Sequence, residues 1–274
     1  MYRNSTVAPL LSGDSIKEIC DYVAFGKDGS EPFDRIRALS ANSIFVKSEL
    51  LEELIREGEL LGLCPAVIVT GNSDRNFETP IPQPLNCRLW ICQNNAMPQR
   101  QGLITLPIGL ENRTHGRLGQ PRFYSKDRRR EIEKVTKVLV PAMRPTNPDR
   151  IIRVKEAELN PAVYDVRREY LHEDKYFRFL TRFQFVLCIE GNGFDTHRIW
   201  EALYLGVFPV VIESDWSVSL RRYKLPIMFI KSINELSKIE LEDFVAIHKG
   251  FNPDDAEVLW APYWEEVINS GRTL

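Results

Sequence analysis

The sequence lacks a long apolar run and any marked excess of one charge, and these two gaps exclude the most. No stretch approaches the roughly 18 apolar residues of a membrane-spanning helix. The amino terminus, MYRNSTVAPLLSGDS, has neither the basic start nor the apolar core of a secretion signal. The expectation is therefore a cytoplasmic chain without a membrane span. With 36 basic and 38 acidic residues the net charge is −2, which argues against a general nucleic-acid or membrane-surface binder. The densest basic run, Arg128-Arg129-Arg130, is followed by Glu131 and Glu133 and reads as a solvated helix face. Cysteine is sparse and odd in number: Cys20, Cys64, Cys87, Cys92 and Cys188. None has C-x-x-C spacing, so a zinc or redox site is not indicated. Most lie in or beside apolar runs, as small buried hydrophobes in a reducing compartment do.

What is present is ordinary for a folded enzyme-sized chain. Of 274 residues, 43% are hydrophobic and 27% charged, as in soluble globular proteins. Short apolar runs alternate with amphipathic stretches, which favours βαβ units and parallel sheets. In the first half, strands are expected at 21–25, 43–47, 66–70, 88–92 and 103–106. Between two of them SELLEELIREGE (48–59) has a Ser cap, early glutamates and leucines at helical spacing. In the second half, strands are expected at 137–140, 185–188, 208–212 and 227–230. Asn147-Pro148 is a cap and first-turn pair for a helix. Further helices are expected at 173–181, 196–205, 241–248 and 254–268. The expected fold is α/β, with two Rossmann-like domains, 1–130 and 131–274, facing one cleft and the C-terminal helices packing back. Ligands in such folds bind beyond the carboxyl ends of the strands.

One segment concentrates the chemistry, Phe185–Glu213, FVLCIEGNGFDTHRIWEALYLGVFPVVIE. A buried strand runs into Glu190-Gly191-Asn192-Gly193, where the glycines permit a tight turn and close backbone approach. A helix then starts at Asp195-Thr196, either of which can cap it. Its first turn suits a phosphate, and His197 and Arg198 can add charge-assisted contacts. Glu201 lies one turn on, on the same face, where a carboxylate can accept from both ribose hydroxyls. Two other readings compete. An His-Arg-Glu trio can be a surface ion-pair cluster, and Gly191-x-Gly193 with Glu213 imitates a dinucleotide fingerprint. The latter lacks its third glycine, replaced by Thr196, and has charged residues crowding the helix start.

GNGFDTHRIWEALYLGVFPVV resembles the nucleotide-sugar motif of the exostosin-like glycosyltransferases, glycosyltransferase family 47 and its relatives. G-x-G, D-x-H-R, W-E-A-L and G-x-x-P-V-V occur there in this order, and SDWSVSL with KLPIMFI continues the pattern. More weakly, VTGNSD (69–74), WICQN (90–94) and PIGLEN (107–112) are similar to the amino-terminal half of small members. The resemblance implies a GT-B architecture with the donor held mainly by the second domain. It implies that Gly191, Asn192, Gly193, His197 and Arg198 face the diphosphate and Glu201 the ribose, with Asp195 and Thr196 also among the donor-binding residues. Arg144, Thr146 and Asn147 would complete the diphosphate site, although a plain cap explains Asn147 equally well. Ser217 and Ser219, with Trp216, would line the base pocket, although Trp216 can equally be packing.

The family inverts configuration, which requires a base at the acceptor hydroxyl. Strand ends of the first domain supply Asp74 and Glu111 as candidate bases and Asn72 and Asn94 as candidate acceptor contacts; His115 is a weaker candidate base. No D-x-D motif occurs, Glu213-Ser214-Asp215 being a loose imitation, so no catalytic metal is expected. The partners implied are a nucleotide-sugar donor, UDP-xylose as the leading guess, and an oligosaccharide or glycoprotein glycan acceptor. A retaining GT-B enzyme is disfavoured by the ten residues between Glu190 and Glu201. A binding module without turnover is the remaining alternative.

Overall fold

A computed structural model describes residues 10–113, 118–129, 134–166 and 169–273. It divides into two compact units, 1–112 with 258–274, and 113–257. The first is built on five parallel strands, β1 (Tyr22–Val23), β2 (Ser43–Lys47), β3 (Val67–Gly71), β4 (Leu89–Gln93) and β5 (Leu103–Leu106). Their spatial order is their chain order. The pairing sets Ile44 beside Ile68 and Val69 beside Ile91. These strands are apolar on both faces because both are covered, as in parallel sheets generally. Helices α2 (Arg35–Ser40) and α3 (Leu51–Leu61) connect successive strands, and Leu51 and Leu54 join Ile44, Val46, Ile68 and Trp90 in one core. Right-handed crossovers in one direction put these helices on one face.

The other face is closed from the two ends of the unit. Helix α1 (Gly13–Ile19) precedes β1, and α9 (Ala261–Thr273) returns after the second unit. Gly271 of α9 lies so close to the sheet that an added Cβ would stand 2.8 Å from Leu89 and Val67 side-chain carbons. Leu11 donates its amide to the Leu259 carbonyl at 3.3 Å, and Trp264 and Ile268 are fully buried. Arg272 adds a bond to the Ser43 hydroxyl at 2.6 Å and pairs with Asp21 at 3.0 Å.

The second unit carries β6 (Val135–Val140), β7 (Val163–Val166), β8 (Phe183–Leu187), β9 (Phe208–Ile212) and β10 (Met228–Ile230), all parallel. Their order is β10-β9-β8-β6-β7. From β6 the chain crosses one way to β7, then the other way to β8, β9 and β10. The direction reverses between β6 and β8, which is a topological switch point. The connecting helices are α4 (Pro148–Glu158), α5 (Glu173–Leu180), α6 (His197–Tyr204) and α7 (Asp215–Ser219), with α8 (Leu241–Ile247) following β10. Right-handed crossovers place α4 on one face and α5 and α6 together on the other.

Aromatic packing fixes α5 against α6. Phe177 of α5 stacks on Phe123 with centroids 4.6 Å apart and meets Tyr124 edge-on at 5.3 Å; Tyr124 in turn contacts Tyr204 of α6 at 5.5 Å. Helix α6 ends at Gly206, whose φ of 64° is readily reached only without a Cβ, and the Lys134 ammonium donates to the Gly206 carbonyl at 2.6 Å.

Most elements fall where the sequence places them. Several do not. The expected helix 254–268 is two short 3-10 turns, Pro253–Asp255 and Glu257–Leu259, followed by α9. Strand β7 and helices α1, α2 and α7 were not among the expected elements. The residues Arg130–Glu133, expected as helix surface, lie outside the described residues, as does His115.

Candidate functional site

At the switch point of the second unit, the loop after β6 and the loop after β8 are stitched together by two side chains of α4. Asn147 caps α4, accepting from the Arg150 amide at 2.7 Å. Its own amide nitrogen donates to the Gly191 carbonyl and, at 3.4 Å, to that of Glu190. The Arg150 guanidinium donates to Ile189 (2.7 Å), Glu190 (2.9 Å) and Arg144 (3.0 Å), all through backbone carbonyls. A Cβ on Gly191 would stand 3.1 Å from Arg150 Nη2, so glycine is what allows the turn this close to the guanidinium. Across that turn the Gly191 amide donates to the Gly193 carbonyl at 3.2 Å.

Helix α6 opens beside this turn. Thr196 is its N-cap by backbone, but its side chain makes no capping bond. The neighbouring Asp195, only 6% exposed, instead accepts from the Thr196 amide at 2.7 Å and from the Trp200 indole at 2.8 Å. Asp195 is thus committed to anchoring the helix start. Half-buried Arg198 rests its guanidinium 5.5 Å from the Tyr176 ring centroid and reaches the Ala142 carbonyl at 3.5 Å. One turn on, Glu201 is 2% exposed, and its Oε2 accepts from the Tyr176 hydroxyl at 2.9 Å.

Two guanidiniums dominate the electrostatics beside the turn. Among the described residues, neither Arg150 nor Arg198 has a carboxylate within ion-pair distance. Burial, and then the nearby Arg198 charge, push the Arg150 pKa down. For Arg198, burial pulls downward, but the Tyr176 phenol and Glu201 carboxylate outweigh it and hold the pKa up. The uncompensated cost of burial therefore falls on Arg150, beside Arg198, and an anion bound between the two guanidiniums would relieve it. Glu190, beneath the same turn, pairs with Arg153 at 3.8 Å and accepts from Ser214 at 3.3 Å. Burial raises its pKa, against Arg153 and Ser214.

The remaining second-unit residues separate. Arg144, Thr146 and Asn192 are exposed beside the turn, His197 is half-buried and Gly193 is buried. Ser217 is occupied in a capping box with Ser214 and donates to the Ile212 carbonyl at 3.1 Å. Trp216 is fully buried, which makes it core packing and not an open stacking platform. Its indole nitrogen and the Ser219 hydroxyl are buried without a hydrogen-bond partner among the described residues. Arg150 and Tyr176 are the two site residues the motif did not indicate. Their partners are backbone carbonyls and a carboxylate far away in the chain, so local spacing carries no trace of them.

In the first unit, the sequence-indicated residues cluster at the carboxyl ends of β3, β4 and β5. Asn72 and Asn94 adopt left-handed φ of 57° and 54°. Asn72 accepts from Asn112 at 2.6 Å and donates its backbone amide to Gln93 at 2.8 Å. Gln93 and Asn94 both donate to the Ser73 carbonyl, at 2.9 and 3.1 Å. These amides hold the turns that present Asp74, which is exposed, while Glu111 is half-buried after β5. Among the described residues, no group of three His, Cys, Asp or Glu side chains is arranged to hold a metal. No helix of the described residues is long and apolar enough to cross a membrane. Compared with known proteins, the chain matches no family model and no curated protein.

Proposed function

We propose that this chain is an inverting glycosyltransferase of GT-B architecture that moves a sugar from a nucleotide-sugar donor to a glycan hydroxyl without a catalytic metal. The observation that carries the reading is a pair of guanidiniums, Arg150 and Arg198, lacking carboxylates beside the Gly191 turn at the switch point, one helical turn from Glu201. In this reading Arg198 and the first turn of α6 hold the diphosphate, and Glu201 takes the ribose. The acceptor oxygen attacks the anomeric carbon, its proton passes to Asp74 or Glu111, and the bond to the diphosphate breaks. The charge left on the departing diphosphate is met by fixed guanidiniums and backbone N–H groups. The motif resemblance and the two five-stranded parallel sheets support the architecture.

Calorimetric titration with UDP, GDP, ADP and UDP-linked sugars tests this directly, with UDP-xylose as the favoured donor. The expected result is tightest binding of a UDP compound, with Arg198→Ala weakening it at least tenfold, or about 1.4 kcal/mol. Transfer should survive EDTA and yield the inverted anomer by NMR. Of Asp74→Asn and Glu111→Gln, the variant that loses transfer while keeping donor affinity identifies the base. Absence of binding to every nucleoside diphosphate would overturn the proposal. Binding without transfer to any acceptor would favour a non-catalytic module, and a retained anomer a retaining enzyme.

A further inference from the structure

Tyr176 belongs to no motif, yet it touches both charged groups of α6. Its hydroxyl donates to Glu201 Oε2 at 2.9 Å, and its ring lies under the Arg198 guanidinium. The phenol is half-buried, and burial holds it well above its ordinary pKa, so it remains a donor. A phenol has one proton to give, and that proton goes to Oε2. Glu201 Oε1 accepts from none of the described residues, and it is not among the fully enclosed polar atoms left without a partner. The carboxylate is therefore held at one oxygen and available at the other. The hold is rigid because α5 is locked to α6 through Phe177, Tyr124 and Tyr204.

We infer that Tyr176 is a positioning residue that pins one oxygen of Glu201, so that the other stays aimed at a vicinal diol, while its ring keeps Arg198 apart from that carboxylate. Released from the phenol, with the ring still between it and Arg198, the Glu201 carboxylate is free to rotate and its second oxygen loses its fixed direction. That loss of aim would remove diol recognition and leave the diphosphate contacts in place. The inference rests on reading the site as a nucleoside-diphosphate pocket, and it assigns Tyr176 to selecting ribose over sugars lacking the diol.

The test compares wild type with Tyr176→Phe, which keeps the ring and removes the hydroxyl. Each is titrated with the tightest-binding of UDP, GDP and ADP and with the 2′,3′-dideoxy counterpart of that nucleotide. Wild type should prefer the ribonucleotide about tenfold. In Tyr176→Phe the preference should fall below threefold, mostly through weaker ribonucleotide binding, with dideoxynucleotide affinity unchanged within twofold. A variant that keeps the tenfold preference, or loses both ligands equally, overturns the role of Tyr176 alone. A wild type that binds both nucleotides equally, or neither, overturns it together with the ribose assignment. Far-ultraviolet circular dichroism and an unchanged unfolding midpoint establish that the variant is folded.

Discussion

At the scale of single residues, the second unit uses acidic side chains for two different tasks within seven positions. Asp195 is structural: its carboxylate serves the Thr196 amide and the Trp200 indole, while Trp200 is wholly buried. Asp195→Ala strands that indole N–H without its acceptor, a penalty of about 1–3 kcal/mol. Urea unfolding should show a lower midpoint, with Asp195→Asn, which retains a carbonyl acceptor, recovering most of it. Glu201, by contrast, keeps an oxygen in reserve. The sequence already marked Gly191, Arg198 and Glu201, because a turn and helix spacings of three and four are local properties. It assigned Asp195 to the ligand because D-x-H-R does not reveal that an indole five residues on claims the carboxylate. Arg150 and Tyr176 were illegible for a related reason, since their chemistry depends on which distant loops and helices the sheet brings beside them.

Among the elements, legibility followed burial. Strands 43–47, 103–106 and 208–212 match to the residue because continuous apolar runs flanked by breakers leave little choice. Strand β7 escaped notice as a short edge strand whose Tyr164 is exposed. Helix α7 escaped because five residues cannot show a helical period. The switch point could not be read at all, because strand order is a property of pairing and not of any strand's composition. Helix α8 offers a pH test. His248 at its end packs 4.4 Å from the Phe244 ring centroid and 6.0 Å from that of Phe208, and burial lowers its pKa. The fold thus favours the neutral ring, so its contribution is complete above the unfolded pKa of about 6.5 and is lost as pH falls through the lower folded value. An NMR titration should place the His248 midpoint below 6.5. His248→Phe should lose less stability than wild type between pH 7 and 5.

Over the whole molecule, the first unit is assembled from two stretches of chain separated by the second. Leu259, Trp264 and Ile268 are fully buried in it, and burying each such side chain contributes about 1.5–3 kcal/mol. Removal of residues 258–274 should therefore expose the α1–α9 face of the first sheet and unfold that unit. Hydrogen exchange should show protection lost in β2–β4 and retained in β6, β8 and β9. Protection retained in both sheets would mean that α9 is dispensable. This discontinuity also sets an order during synthesis. Domains fold as units while the chain emerges at about 5–20 residues per second. The second unit is contiguous and complete once residue 257 is out, whereas the first must wait, one sheet face bare, for α9. The ribosome thus delivers the earliest strands first and lets them finish last, which makes the uncovered face of β3 and β4 the surface a chaperone would meet on the nascent chain.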